Sequence, residues 1–467
     1  MAEETIFQGQ NSAIQNGNDA NQKLSSRSPV KRLIILGFIL LIIPIILFVI
    51  LNIIFPQFNS ASDKETTLIY WGIREEESTI DSIISDFEKE NPNINVTYLK
   101  QDPIDYREKL TTRIENGTGP DIFKFHNSWY PMFSGQLLPL PQETIEKKEF
   151  AQNFYDIAQR DLIRNGAIYG IPMEMDTLAL FINTQIFEEA SREQNTTISP
   201  PATWQEFIDV SMKLTKRDES GKIVIAGASI GTFENITHAP DIISLLFAQN
   251  GVDPNDLLGS EDKASDALRF YTNFALIETS VWDLTLDPSI TLFYQGKLAM
   301  FFGYFGDYFE IKKANPNLVF KIVPVPQLLS GKKVNIASYW ADGVSTSSKN
   351  QKEALLFMKF LARPETAQKL YQEQSKVKSL GQPYGNKNLA EDLKGSDAYI
   401  FVDQAKTAVS SPFIGGTFDN GLNESLNSIL GVAIEHILSG GDVGSATRNL
   451  LEGYQVVISE HTSIPEE

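Results

Sequence analysis

The 467 residues include no cysteine. Disulfides, zinc–thiolate sites and thiol nucleophiles are therefore excluded. Histidine is nearly as scarce. The four present, His126, His238, His436 and His461, show no metal-ligand spacing and no HExxH pattern. Neither a metal nor a cofactor is expected, and no catalytic signature is present. Positive charge is in deficit, with 40 Lys and Arg against 59 Asp and Glu and a net charge of -19. Phosphate binding needs clustered Lys and Arg, so nucleic acid is not a partner and an anionic lipid surface is not a main one. Internal repeats are lacking, as is a glycine-rich phosphate cradle.

What remains is ordinary globular material, 42% hydrophobic and 21% charged. The length exceeds what one compact core usually covers, so two lobes are expected. The N-terminus is different. Residues 1–32 are rich in Asn, Gln and Ser and read as a disordered cytoplasmic tail. Residues 33–55, LIILGFILLIIPIILFVILNIIF, carry no charge and are long enough to span a bilayer as a helix. Lys23, Arg27, Lys31 and Arg32 precede the run, and the next charged residue is Asp63. The positive-inside rule then orients a single-pass anchor with its N-terminus in the cytoplasm, a linker at 56–65 and the remainder outside the cell membrane. A cleaved signal peptide has a shorter apolar region, and lipidation needs a cysteine.

Beyond the linker, Thr67 to Ile73 reads as a strand. Ile80, Ile83, Ile84 and Phe87 mark an amphipathic helix stopped by Asn91-Pro92-Asn93. Ile94 to Leu99 is a second strand. Tyr106, Leu110 and Ile114 mark a second helix, and Asp121 to Phe125 a third strand. This βαβαβ alternation predicts a parallel sheet covered by helices, with ligands outside the carboxyl ends of the strands. Asp121 opens its strand, so strand logic places it at the opposite end, as a turn or cap carboxylate. Gly166 to Asn183 is extended and too long for one strand, and is expected to cross between lobes. Thr203 and Glu206 form a capping box, which makes Trp204 a core residue. Further strands are read at 297–304, 319–325 and 335–345, with helices at 351–362 and 423–438. Ser229 and Gly231 mark either a close approach to a ligand or a turn.

Seven stretches stand in an order that resembles the sugar-binding family of bacterial extracellular solute-binding proteins, the maltodextrin-binding type that feeds ABC importers. They are LIYWGI, DFEKENPNINVTY, GTGPDIFKFHNSW, IYGIPMEMDTLALFIN with PATWQEF, AGASIGTFEN, FYQGKLAMFFGY and ASYWADGVSTSSKNQKEALLFMKFLA. Together they cover roughly residues 66–440. The resemblance implies an α/β, two-lobed periplasmic-binding-protein-like fold with hinge crossovers, preceded by the N-terminal transmembrane helix. The first lobe would be 66–175 and 336–380, and the second 176–335 and 381–460. It also implies a monomer that serves an ABC transporter permease. The usual export route of the family is a cleaved signal or a lipidated cysteine, from which this chain departs.

The candidate ligand-binding residues are Trp71, Asp121, Asn127, Trp129, Asp176, Tyr304 and Trp340. A sugar presents apolar faces, suited to flat rings, and hydroxyl edges, suited to carboxylates and amides. The resemblance places Asp121, Trp129, Asp176, Tyr304 and Trp340 near the cleft. Glu174 and Asp176 face one side of a regular strand; Asp307 and Asp342 are further acids to weigh. The function implied is capture of a mono- or oligosaccharide by lobe closure. Three others stay open: a non-sugar solute such as a polyamine, whose charge aromatic faces also bind, a surface sensor or adhesion module with no transport role, and a glycoside hydrolase.

Overall fold

The structure is a computed structural model that describes residues 65–253, 257–276 and 280–462. The expected tail, anchor and nearly all of the linker lie outside the described residues. Among the described residues no helix is long and apolar enough to cross a membrane.

Two sheets organise the chain from Glu65 onward. The first has the order β12-β3-β1-β2. Its parallel part is β1 (Thr66–Gly72), β2 (Ile94–Lys100) and β3 (Ile122–His126), as the βαβαβ pattern predicts. The strand β12 (Trp340–Val344) returns from more than two hundred residues away and lies antiparallel on β3. The second sheet has the order β10-β6-β9-β8-β7. Its members are β6 (Ala179–Asn183), β7 (Lys216–Arg217), β8 (Ile223–Ala228), β9 (Leu298–Gly303) and β10 (Phe320–Val323). Two small pairs complete the set, β4 (Ile163–Arg164) with β5 (Ala167–Ile168) and β11 (Asn335–Ile336) with β13 (Ala408–Val409).

Helices cover these sheets by the stripes legible in the sequence. Helix Glu77–Glu90 buries Ile80, Ile83, Ile84 and Phe87, each worth about 1.5–3 kcal/mol when fully buried. Asn91 ends it, its side-chain amide donating to the Phe87 carbonyl at 3.0 Å. Helix Trp204–Leu214 begins with the predicted capping box. Trp204 stacks on Phe302 and donates to Gln249 at 2.6 Å, a core residue as expected. Gly72 closes β1 where the chain passes under Tyr98; a Cβ there would lie 2.1 Å from the Tyr98 hydroxyl oxygen.

The long run from Gly166 visits both sheets. Ile171 pairs with Asp342 of β12, Glu174 bridges to Tyr384, Thr177 bridges to Ala337, and Ala179 then pairs with Gly303 of β9. The chain comes back through β11 and enters β12 at Trp340. This geometry brings functional ends together. The carboxyl ends of β1, β3, β8 and β9 are followed by Arg74, Asn127, Ser229 and Tyr304. The antiparallel strands begin at the same edges, because Trp340 pairs with His126 and Ala179 with Gly303.

Candidate functional site

On the first sheet's rim the central group is Trp340. Its indole meets His126 edge-on at 5.3 Å and Trp129 edge-on at 5.0 Å. The Arg74 guanidinium, from the loop after β1, stands 6.0 Å from the ring centre, within cation–π range. Arg74 also reaches to 3.9 Å from the Glu174 carboxylate on the crossover. Burial, with the nearby Arg74 charge, pulls His126 down to about 3, so its imidazole is neutral. The ring lies between the hydroxyls of Ser128 at 2.7 Å and Ser338 at 3.0 Å.

The second sheet's rim begins at Asp176. Both oxygens accept from the Phe305 N–H, at 3.2 and 3.1 Å. Burial pushes the Asp176 carboxyl up to about 8, against the opposing pull of Arg74 and the Phe305 N–H. Tyr304 caps the helix Phe305–Ala314 and donates its hydroxyl to Asp241 at 2.7 Å. Asp307 accepts from the Tyr304 N–H at 2.7 Å and lies 2.8 Å from His238 Nε2. Burial alone would lower His238, but Asp307, with Asp241 and Asp176, outweighs it and lifts the imidazole to about 9. Its other nitrogen, Nδ1, is buried and makes no hydrogen bond, but faces the Asp241 carboxylate at 3.8 Å. Asp241 in turn accepts from the Gly415 N–H at 3.0 Å. Contacts thus run from Trp340 through Arg74 to Glu174 on one rim, and among Asp176, Tyr304, Asp307, His238 and Asp241 on the other, with the Arg74 charge acting on Asp176. These groups set buried rings beside cations that donate and acids that accept.

Asp176 and Tyr304 lie on either side of the Phe305 N–H at the second sheet's rim, and Trp340 lies at the first, beside Arg74. The others are placed elsewhere. Asp121 is a correction: it sits at the far end of β3, accepting from the Ile69 N–H at 2.8 Å and the Ser348 hydroxyl at 2.5 Å. Its carboxylate ties β1 to the segment after β12, as strand logic alone would have it. Trp129 is fully buried, stacked between Tyr106 and Phe133, so it backs Trp340 instead of offering a face. Trp71 lies on a sheet face beside Tyr106, with the Lys109 ammonium 5.1 Å above its ring. Asn127 donates to Asp161 and to Ser410 and accepts from the Tyr339 N–H. It lines a cavity of about 670 Å³ with Arg160 and Ser411, on the Tyr339 side of the return crossover. Asp342 is wholly buried, bound by Tyr70 and Lys124.

Arg74, Glu174 and His238 were underweighted or missed. Glu174 had a signal, its two-residue spacing from Asp176. Arg74 and His238 lie in loops, where no periodicity marks them. Among the described residues no cluster suited to a metal ion is found.

The chain belongs to the bacterial extracellular solute-binding proteins, whose family model matches residues 71–368. That family is one of binding proteins and not of enzymes. Among curated relatives, the galactooligosaccharide-binding protein of Bacillus subtilis is 23% identical over 76% of this chain and 82% of its own length. The multiple sugar-binding protein of Streptococcus mutans is 23% identical over 72% of this chain and 78% of its own. Among solved structures, a cyclo/maltodextrin-binding protein complexed with maltotetraose superposes with a TM-score of 0.66, at 18% identity, over 86% of this chain and 98% of that one. An ABC transporter solute-binding protein from Thermotoga lettingae, bound with α-D-tagatose, gives 0.65 at 20% identity, over 84% and 100%. These likenesses establish the two-domain α/β periplasmic-binding-protein-like fold.

Proposed function

We propose that the protein is a membrane-anchored receptor that captures a mono- or oligosaccharide between two lobes and delivers it to an ABC permease. The observation that carries this reading is the pairing of Trp340 with Arg74 and Glu174 on one sheet's rim, with Asp176, Tyr304 and His238 gathered on the other's. Sugars need that pairing of apolar face and hydroxyl-directed charge. Relatives named for galactooligosaccharide and multiple-sugar binding support it.

In this proposal residues 66–175 with 336–380 move against 176–335 with 381–460, hinging on the crossovers near Thr177 and Ala337. Residues 33–55 hold the receptor at the membrane and so raise its effective concentration at the permease. The ligand contacts are Arg74, Asp176, His238, Tyr304 and Trp340. Asp121, Trp71 and Trp129 act behind them as structure.

The test is a thermal-shift panel on the purified full-length chain, with mono- and oligosaccharides beside polyamines. A ligand at a hundred times its Kd stabilises by about 2.7 kcal/mol. For roughly 400 folded residues that moves the midpoint by about 3 °C. A shift with a defined set of sugars supports the reading. A panel on which only the cations act replaces carbohydrate with a charged solute.

A further inference from the structure

A lysine occupies the middle of a strand buried on both faces. Every residue of β3 is buried, and Lys124 is among the most enclosed large side chains of the protein. Its ammonium lies 2.9 Å from Glu75 and 3.3 Å from Asp342, both of them buried as well. Buried charges are retained only when paired, and one lysine here holds two acids. The acids differ in what they are attached to. Asp342 belongs to β12 and is also held by the Tyr70 hydroxyl at 2.7 Å. Glu75 belongs to the loop between β1 and the helix Glu77–Glu90, next in the chain to Arg74. Tyr98 donates to the Glu75 carbonyl at 3.0 Å, so that loop is clamped by both backbone and side chain. From that fixed point the Arg74 side chain turns to Trp340 and Glu174.

We propose that Lys124 is a positioning residue for ligand capture: through Glu75 it fixes the loop that aims Arg74 across the cleft. Lys124 itself is sealed from solvent and touches no ligand. A flexible arginine would lose side-chain entropy when it gripped a solute, and a clamped loop removes part of that cost beforehand. The inference rests on reading the Arg74–Asp176–Trp340 cleft as the ligand site.

Two variants separate positioning from general stability, since each removes one acid from the same lysine. In the full-length chain, Glu75→Gln and Asp342→Asn are compared by hydrogen–deuterium exchange of the segment 72–79. Maltotetraose binding is measured alongside. Exchange in that segment is expected to rise with E75Q and to stay near the parent with D342N. Maltotetraose affinity, if the parent binds it, is expected to fall roughly tenfold with E75Q, the loss of about one hydrogen bond to a charged group. The fall should vanish in an Arg74→Gln background. Should E75Q fail to fold, the pair E75Q/K124M, which leaves Asp342 on Tyr70, is measured in its place. Equal exchange in the E75Q and D342N chains, or none above the parent in either, overturns the proposal. A parent that does not bind maltotetraose excludes that sugar as the ligand, and the exchange comparison still decides the clamp.

Discussion

Replacing Asp176 by Asn is expected to stabilise the protein while weakening it as a receptor. The carboxyl is buried, and its folded-state value is raised from 3.8 to about 8, chiefly by burial. Below pH 3.8 the group is protonated in both the folded and the unfolded chain, so it contributes no difference. Between 3.8 and about 8 the unfolded chain releases the proton and the folded chain keeps it. Stability then falls by about 1.36 kcal/mol per pH unit. From pH 5 to pH 7 the loss is about 2.7 kcal/mol, an upper bound because any wetting of the cleft reduces it. Asn keeps an oxygen for the Phe305 N–H and does not ionise. The midpoint of the Asp176→Asn chain should therefore exceed the parent's by a margin that widens by up to about 3 °C between pH 5 and pH 7. At pH 7 the folded carboxyl is neutral, so sugar affinity should fall only about two- to tenfold, by roughly the worth of one neutral hydrogen bond. The assay is differential scanning calorimetry of both chains at both pH values, with titration of a bound sugar at pH 7. A margin that stays constant or narrows as the pH rises would refute the account of Asp176.

Three further outcomes are expected. Asp121→Asn should lower stability by about 1–3 kcal/mol, through weakened bonds to Ile69 and Ser348, and leave sugar affinity within about twofold; a large loss of affinity at unchanged stability would return Asp121 to the cleft. Gly231→Ala should destabilise measurably in a thermal melt, since Gly231 has φ +119 and an added Cβ would lie 2.9 Å from the Ala275 nitrogen; an unchanged midpoint would show that the segment relaxes freely. The full-length protein should remain in the membrane fraction after a high-salt wash, and salt release or a native N-terminus near Ser62 would remove the anchor from the proposal.

Local signals carried the sequence reading far where neighbours in space are neighbours in the chain. The helix stripe Ile80, Ile83, Ile84, Phe87 and the Thr203–Glu206 box depend on spacings of three and four residues, and both are found as read. The parallel pairing of β1, β2 and β3 followed from their alternation with helices. Illegible features are those whose causes lie far along the chain. Asp121 is occupied by Ile69, 52 residues before it, and by Ser348, 227 residues after it. Trp129 looks like a rim residue because it follows a strand, but a 3₁₀ turn at Asn127–Trp129 rotates it into the core between Tyr106 and Phe133. One signal was present and unused: a lysine inside DIFKF, in a strand without a solvent face, demands buried acids, and Glu75 and Asp342 are those acids.

The groups proposed as ligand contacts are largely partnered within the protein itself, and this bears on how tightly a solute can be held. Asp176 already accepts from Phe305, Tyr304 already donates to Asp241, and Arg74 already lies by Glu174. A sugar hydroxyl that bonds one of them exchanges one hydrogen bond for another, and such exchanges contribute only about 0.5–1.5 kcal/mol each. A receptor built this way holds its solute at moderate affinity and can release it, which delivery to a permease requires.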